Sequence, residues 1–117
     1  MRTLDIALRE AGSVTVLTLT GRLSIDEELV LRDAVDMLAQ TGRVHLVLNL
    51  RDVGLIDSAG LGALVAALVK VRRRHGDLKL VRMTPRNNHA MRITRLDAVF
   101  QRFESEDEAV GSFGHGT

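Results

Sequence analysis

The sequence has no cysteine, no tryptophan and no tyrosine, and only one proline and three phenylalanines in 117 residues. Without cysteine there is no disulfide framework, no thiolate nucleophile and no thiolate ligand for zinc, which fits a reducing cytoplasm. Without tryptophan or tyrosine there is little to stack on nucleic-acid bases. No apolar run approaches the length of a membrane span, and the start MRTLDIALRE places acidic residues inside an alternating pattern, unlike a signal peptide. The net charge is only +1, so no strong field of one sign calls for a polyanion.

What is present suits one domain. A hydrophobic content of 45% over this length supports one real core and is too little for two. The expected domain is 1–117, with its core at about 4–113 and a frayed tail at 114–117. Residues 4–8 alternate like a strand, Ala11-Gly12-Ser13 reads as a hairpin turn, and 14–20 alternates again, with Val14 and Val16 opposite Leu17 and Leu19. Residues 27–40 form an amphipathic helix with Leu31, Ala34, Val35 and Leu38 on its apolar face and Gly42 at its end. Ser24-Ile25-Asp26-Glu27 before it fits a capping box.

Residues 44–50 read VHLVLNL, a strand covered on both sides, with Leu46, Leu48 and Leu50 on one face and Val47 on the other. Arg51-Asp52-Val53-Gly54 is turn chemistry. Strand 78–83 follows a second helix; Thr84 caps and Pro85 opens a short helix over 86–96; 99–103 is a last strand; and Ser105-Glu106-Asp107-Glu108 is a further capping box opening a helix to about 113. Strands alternating with helices predict an α/β layer structure on a mixed sheet.

The most informative stretch is Leu55-Ile56-Asp57-Ser58-Ala59-Gly60-Leu61-Gly62, where a strand turns into an apolar helix. From Gly60 on, Leu61, Leu64, Val65 and Leu68 fall at helical spacing, so Ser58 sits at or beside the N-cap. Two readings of Ser58 follow. Either Ser58 or Asp57 simply caps the helix, or the Ser58 hydroxyl is a phosphorylation site, where a charge of about −1.5 to −2 would meet a tolerant helix N-terminus and a repelling Asp57. The glycines point to close approach of a partner or of neighbouring backbone.

Other chemistries find little support. His45, His75, His89 and His115 show no ligand spacing, so no metal is expected. A serine hydrolase would need a GxSxG elbow, and Ile56 stands where its first glycine belongs. Gly60-Leu61-Gly62 lacks the P-loop lysine and following hydroxyl. Lys70, Arg72, Arg73 and Arg74 read as the cationic end of a helix rather than a nucleic-acid patch.

The DSAGLG segment resembles the signature of the STAS domain of bacterial anti-sigma factor antagonists. Gly21-Arg22-Leu23 is similar to that family's early G-x-L motif, Asp52-Val53 through Ser58 to its D-V-x-x-x-D-S core, and Thr84-Pro85, Thr94-Arg95-Leu96-Asp97 and Val99-Phe100 to its later elements. The resemblance spans about residues 4–113. Ser24 stands where the family usually has aspartate, and Arg95 where it usually has glycine.

The resemblance implies a STAS-type fold: a mixed sheet of four to five strands, about four helices in a single layer against it, and the Ser58 helix across an exposed edge. It implies an anti-sigma factor antagonist that is a substrate and not an enzyme. Unphosphorylated, it would bind an anti-sigma factor with serine-kinase activity, which holds the ATP and magnesium, and phosphorylation of Ser58 would switch binding off. Asp57, Ser58, Ala59, Gly60, Leu61, Ser24 and Asp26 are the expected partner-binding residues. No cofactor, nucleic acid or membrane span is expected, a phosphatase is a further candidate partner, and the location is cytoplasmic. A scaffold or sensor STAS protein, as in a stressosome or beside a transporter, is the alternative, and a small serine-dependent enzyme the more distant one.

Overall fold

The computed structural model describes residues 4–114. Of the tail expected to fray, His115 to Thr117 lie outside the described residues. In chain order the elements are β1 (Leu4–Ala11), β2 (Val14–Leu23), α1 (Glu28–Gln40), β3 (His45–Ile56), α2 (Ser58–Arg72), β4 (Asp77–Val81), α3 (Pro85–Ile93), a 3-10 turn (Leu96–Ala98), β5 (Arg102–Phe103) and α4 (Glu106–Gly111). The five strands form one mixed sheet in the order β1-β2-β3-β4-β5. Only the β1–β2 hairpin is antiparallel, turning at Gly12 with φ +64°; β2 to β5 run parallel.

Strand alternation decides which residues meet which helices. Leu17, Leu19, Leu46, Leu48, Leu50, Leu78 and Leu80 face one core with Leu31, Val35 and Leu38 of α1, Leu64, Leu68 and Val71 of α2, and Met91 of α3. Val14, Val16, Val47 and Val81 point the other way and meet Ala109, Val110 and Phe113. The expected single layer of helices therefore holds for α1, α2 and α3 but not for α4, which covers the opposite face because those four valines would otherwise face water. On that face Lys79 is buried with its Nζ 2.7 Å from Ser112 Oγ and 4.3 Å from the Phe113 ring centre, and burial pushes its ammonium below the usual lysine range.

Four local expectations need correction. Arg51 to Gly54 is not a turn: β3 runs on to Ile56 because the tail of β2 pairs with it, Thr20 opposite Asp52, Gly21 opposite Val53 and Leu23 opposite Ile56, with two register shifts. Ser24 does not cap α1, which starts at Glu28; its hydroxyl donates to Glu27 Oε1 at 2.5 Å while the Glu27 N–H donates to the Ser24 carbonyl. The helix expected over 86–96 stops at Ile93, where Thr94 Oγ1 donates back to the Ala90 carbonyl at 2.8 Å and Arg95 adopts φ +61°. The last strand shrinks to Arg102–Phe103, since the residues before it form the 3-10 turn and bury Phe100.

Two helix ends follow the sequence closely. Gly42, at φ +83°, ends α1 with the Gly42 N–H on the Ala39 carbonyl and the Arg43 N–H on the Leu38 carbonyl, a Schellman closure. Thr84 caps α3 through its hydroxyl and Pro85 takes the first helical position.

Candidate functional site

Ser58 sits where buried β3 hands over to α2. Ile56 is buried, Asp57 is extended at φ −92° and ψ −173°, and Ser58 is the first helical residue. The capping role falls to Asp57 alone: its Oδ1 accepts the Gly60 N–H at 2.9 Å and its Oδ2 accepts the Ile25 N–H at 3.2 Å. Its own N–H donates to the Leu23 carbonyl, and its carbonyl accepts from Leu61. Of the capping reading, which allowed either residue, the structure bears out Asp57 and leaves Ser58 outside the cap. The Ser58 hydroxyl has no hydrogen-bond partner among the described residues and is exposed. Both Asp57 oxygens are taken by N–H donors, so Asp57 is not hydrogen-bonded to Ser58 as a base would be.

A second device sets the position of the handover. Beyond Asn49, β3 has outrun β4, which leaves its end without a ladder on that side. Asn87 of α3, 1% exposed, fills the gap: its Nδ2 donates to the Val53 carbonyl at 2.9 Å and its Oδ1 accepts the Ile56 N–H at 3.2 Å. One amide thus replaces two ladder bonds immediately before Asp57.

The sequence-derived partner residues divide by exposure. Ser58 and Asp26 are exposed, and Asp57 and Ala59 are half-buried. Gly60, Leu61 and Ser24 are buried. Leu61 belongs to the main core, and a Cβ on Gly60 would overlap the Leu23 carbonyl oxygen, so that glycine serves the chain's own packing. Gly62 differs. It is exposed, and a Cβ there would meet nothing within 4 Å. The expected placement of α2 across an exposed edge is also corrected: seven of its residues are buried between α1 and the sheet, and Ser58, Gly62 and Val69 lie on its exposed side.

Sequence reasoning missed two exposed apolar residues, one of them bonded to the site. Ile25, tied to Asp57 through its N–H, is 69% exposed, and Leu29 in the first turn of α1 is 64% exposed. Their signal was available: both are apolar yet lie off the Leu31, Val35 and Leu38 stripe. Three cations of the run are engaged elsewhere, with Lys70 paired to Asp36 at 2.6 Å, Arg72 to Asp77 at 3.1 Å, and Arg74 donating to the Ala39 carbonyl at 2.6 Å, while Arg73 is exposed. Among the described residues no group of three or more His, Cys, Asp or Glu could hold a metal ion, and no helix is long and apolar enough to cross a membrane.

Comparison with known proteins matches residues 5–109 to the model of the STAS domain. The anti-sigma-B factor antagonist of Bacillus subtilis (strain 168) is 32% identical over 93 residues, 80% of this chain and 84% of that protein. Among solved structures, a candidate anti-sigma factor antagonist from Thermotoga maritima superposes with a TM-score of 0.87 at 24% identity over 92% of each chain. The Bacillus cell fate determinant SpoIIAA in its phosphorylated form gives a TM-score of 0.74 at 17% identity, covering 94% of this chain and all (100%) of the other. At these identities the two structures speak for the fold, while the Bacillus subtilis relative speaks for the family.

Proposed function

The chain belongs to the STAS-domain family of anti-sigma factor antagonists, and we propose that its unphosphorylated form binds an anti-sigma factor kinase through the surface around Ser58, releasing the sigma factor. The single observation that carries this reading is the division of labour at the start of α2. Asp57 takes the cap and the tie to Ile25, so the neighbouring hydroxyl is exposed and unbonded.

In this reading Ser58 Oγ attacks the γ-phosphorus of ATP held with magnesium by the partner. The bond to the ADP oxygen breaks and the hydroxyl proton passes to a base of the partner. The product adds a charge of about −1.5 to −2. At the first position of α2 that charge meets the orphan N–H groups of the helix start, which favour it, and Asp57, which opposes it. The fold is therefore little disturbed. A desolvated dianion pressed against the kinase surface is costly, and the complex separates. Ile25 and Leu29 supply the apolar contact that Leu61, being buried, does not offer, and Gly62 permits close approach beside it. The chain acts in the cytoplasm as a substrate and a binding module.

Incubation with the candidate kinase and ATP, read by intact mass, tests this. One phosphate should be gained, and Ser58→Ala should abolish the gain. In calorimetry Ser58→Ala should retain the partner and Ser58→Asp should weaken it. Equal affinities of the two variants would remove Ser58 from the interface.

A further inference from the structure

Strand β1 is an edge of the sheet. It pairs with β2 alone, and no helix makes more than marginal contact with it, so one side of its eight-residue backbone has no partner among the described residues. Its even-numbered residues face the main core, where Leu4 is fully buried, Ile6 is partly buried and Leu8 is left 45% exposed. Its odd-numbered residues face the α4 side. There Asp5 makes no ion pair among the described residues, and Arg9 is held by Glu106 Oε1 at 2.7 Å. That contact, with the Asn49 amide, keeps the Glu106 carboxyl below the usual glutamate range.

Charges on an edge strand normally keep copies apart. Here their spacing does the opposite in one register. A two-fold axis perpendicular to the sheet requires residues of the same face to meet, so only registers centred on a residue are allowed. Centred on Ala7, Asp5 lies opposite Arg9 of the second copy, Ile6 opposite Leu8, and Ala7 opposite Ala7. Shifting the centre to Ile6 leaves Asp5 opposite Ala7, and shifting it to Leu8 sets Ile6 against Glu10. Only the register centred on Ala7 pairs Asp5 with Arg9 and Ile6 with Leu8; toward its ends it sets the fully buried Leu4 opposite Glu10, whose carboxylate is already paired with Arg43. Opposite charges and apolar pairs directly across strands are the units that stabilise a sheet.

We infer that β1 is a self-association surface, pairing antiparallel with β1 of a second copy about an axis at Ala7 to give one continuous sheet across the two chains. The contact is isologous, so the Asp5–Arg9 pair and the Ile6–Leu8 pair each occur twice in the dimer. Arg9 is already positioned by Glu106 and has donors to spare for Asp5 of the second copy. The Leu4 end of β1 pairs with Gly21, near the Ser58 end of the sheet. Antiparallel pairing therefore sends the two Ser58 surfaces to opposite ends and covers neither. Two strands of this length make a small interface, so the association is weak and concentration-dependent.

Sedimentation equilibrium of the full chain tests this, with far-UV circular dichroism as the check on folding. The mass should rise with concentration from one chain toward two. Asp5→Arg alone and Arg9→Asp alone should each stay at one chain mass, whereas an equimolar mixture of the two should again rise toward two. The first variant carries cations at both positions and the second carries anions at both, so each repels itself and each complements the other. Leu8→Lys, which alters an exposed position, should also remain a monomer. A wild-type mass that stays at one chain up to about 1 mM would overturn the inference, since pairings of this size are populated there. So would a wild-type dimer that the single variants leave intact, or a mixture that fails to recover.

Discussion

The Ile25 N–H donates to Asp57 Oδ2 at 3.2 Å, which ties the loop after β2 to the cap of α2 across 32 residues of sequence. The same carboxylate closes the helix through Gly60. Asp57→Ala should therefore lose the cap and the tie together, costing about 1–3 kcal/mol. Asp57→Asn keeps a side-chain oxygen for Gly60 and should cost less. Urea denaturation of the two variants checks the order, and a larger loss for asparagine than for alanine would contradict it.

Gly60 and Gly62 should respond in opposite directions to the same substitution. Gly60→Ala places a methyl group against the Leu23 carbonyl and should destabilise by about 1–3 kcal/mol. Gly62→Ala meets nothing in the fold and should stabilise by up to about 1 kcal/mol, because glycine inside a helix is unfavourable relative to alanine. If a partner's backbone comes close at Gly62, the same variant should bind it more weakly while melting higher. Thermal melts and calorimetry separate the two effects.

Asn87→Ala strands the Val53 carbonyl and the Ile56 N–H in a buried position. The cost should be about 2–4 kcal/mol, and the handover at Ser58 should loosen. Amide exchange at Ile56 and Asp57 should accelerate more than exchange in α1. Uniform acceleration across both would mean that Asn87 is a general packing residue and no local clamp.

Arg95 holds φ +61°, a left-handed conformation at the end of α3 that glycine adopts without penalty. A glycine there, as the resemblance drawn from the sequence implies for the family, would meet no such restriction. Arg95→Gly should raise stability by about 1 kcal/mol despite the greater freedom of the unfolded chain. A lower denaturation midpoint would show that the arginine side chain makes a compensating contact.

Much of the fold was legible because it depends on local periodicity. The division of Leu46, Leu48 and Leu50 from Val47, the Gly42 helix end, and the Thr84-Pro85 helix start are all local statements, and each matches the structure. The extension of β3 through Arg51 and Asp52 was not legible, since those residues look like a turn until β2 pairs with them. Ser24 was misread for a similar reason. Its spacing to Glu27 suits a capping box, but the buried Glu27 carboxylate also accepts from Arg22 and takes the hydroxyl as a second donor. Asn87 carried no sequence signal, because its role exists only where α3 crosses the end of β3.

The amino-acid order alone determined that an apolar helix begins at about Asp57-Ser58 and that either residue could serve as its cap. Only the tertiary structure decided between them. Ile25, from a loop 32 residues earlier, completes the Asp57 carboxylate, and Leu23 leaves no room for any side chain at residue 60. A hydroxyl is free or bound according to what stands beside it, and in this chain its neighbours are set by the packing of β2 against β3.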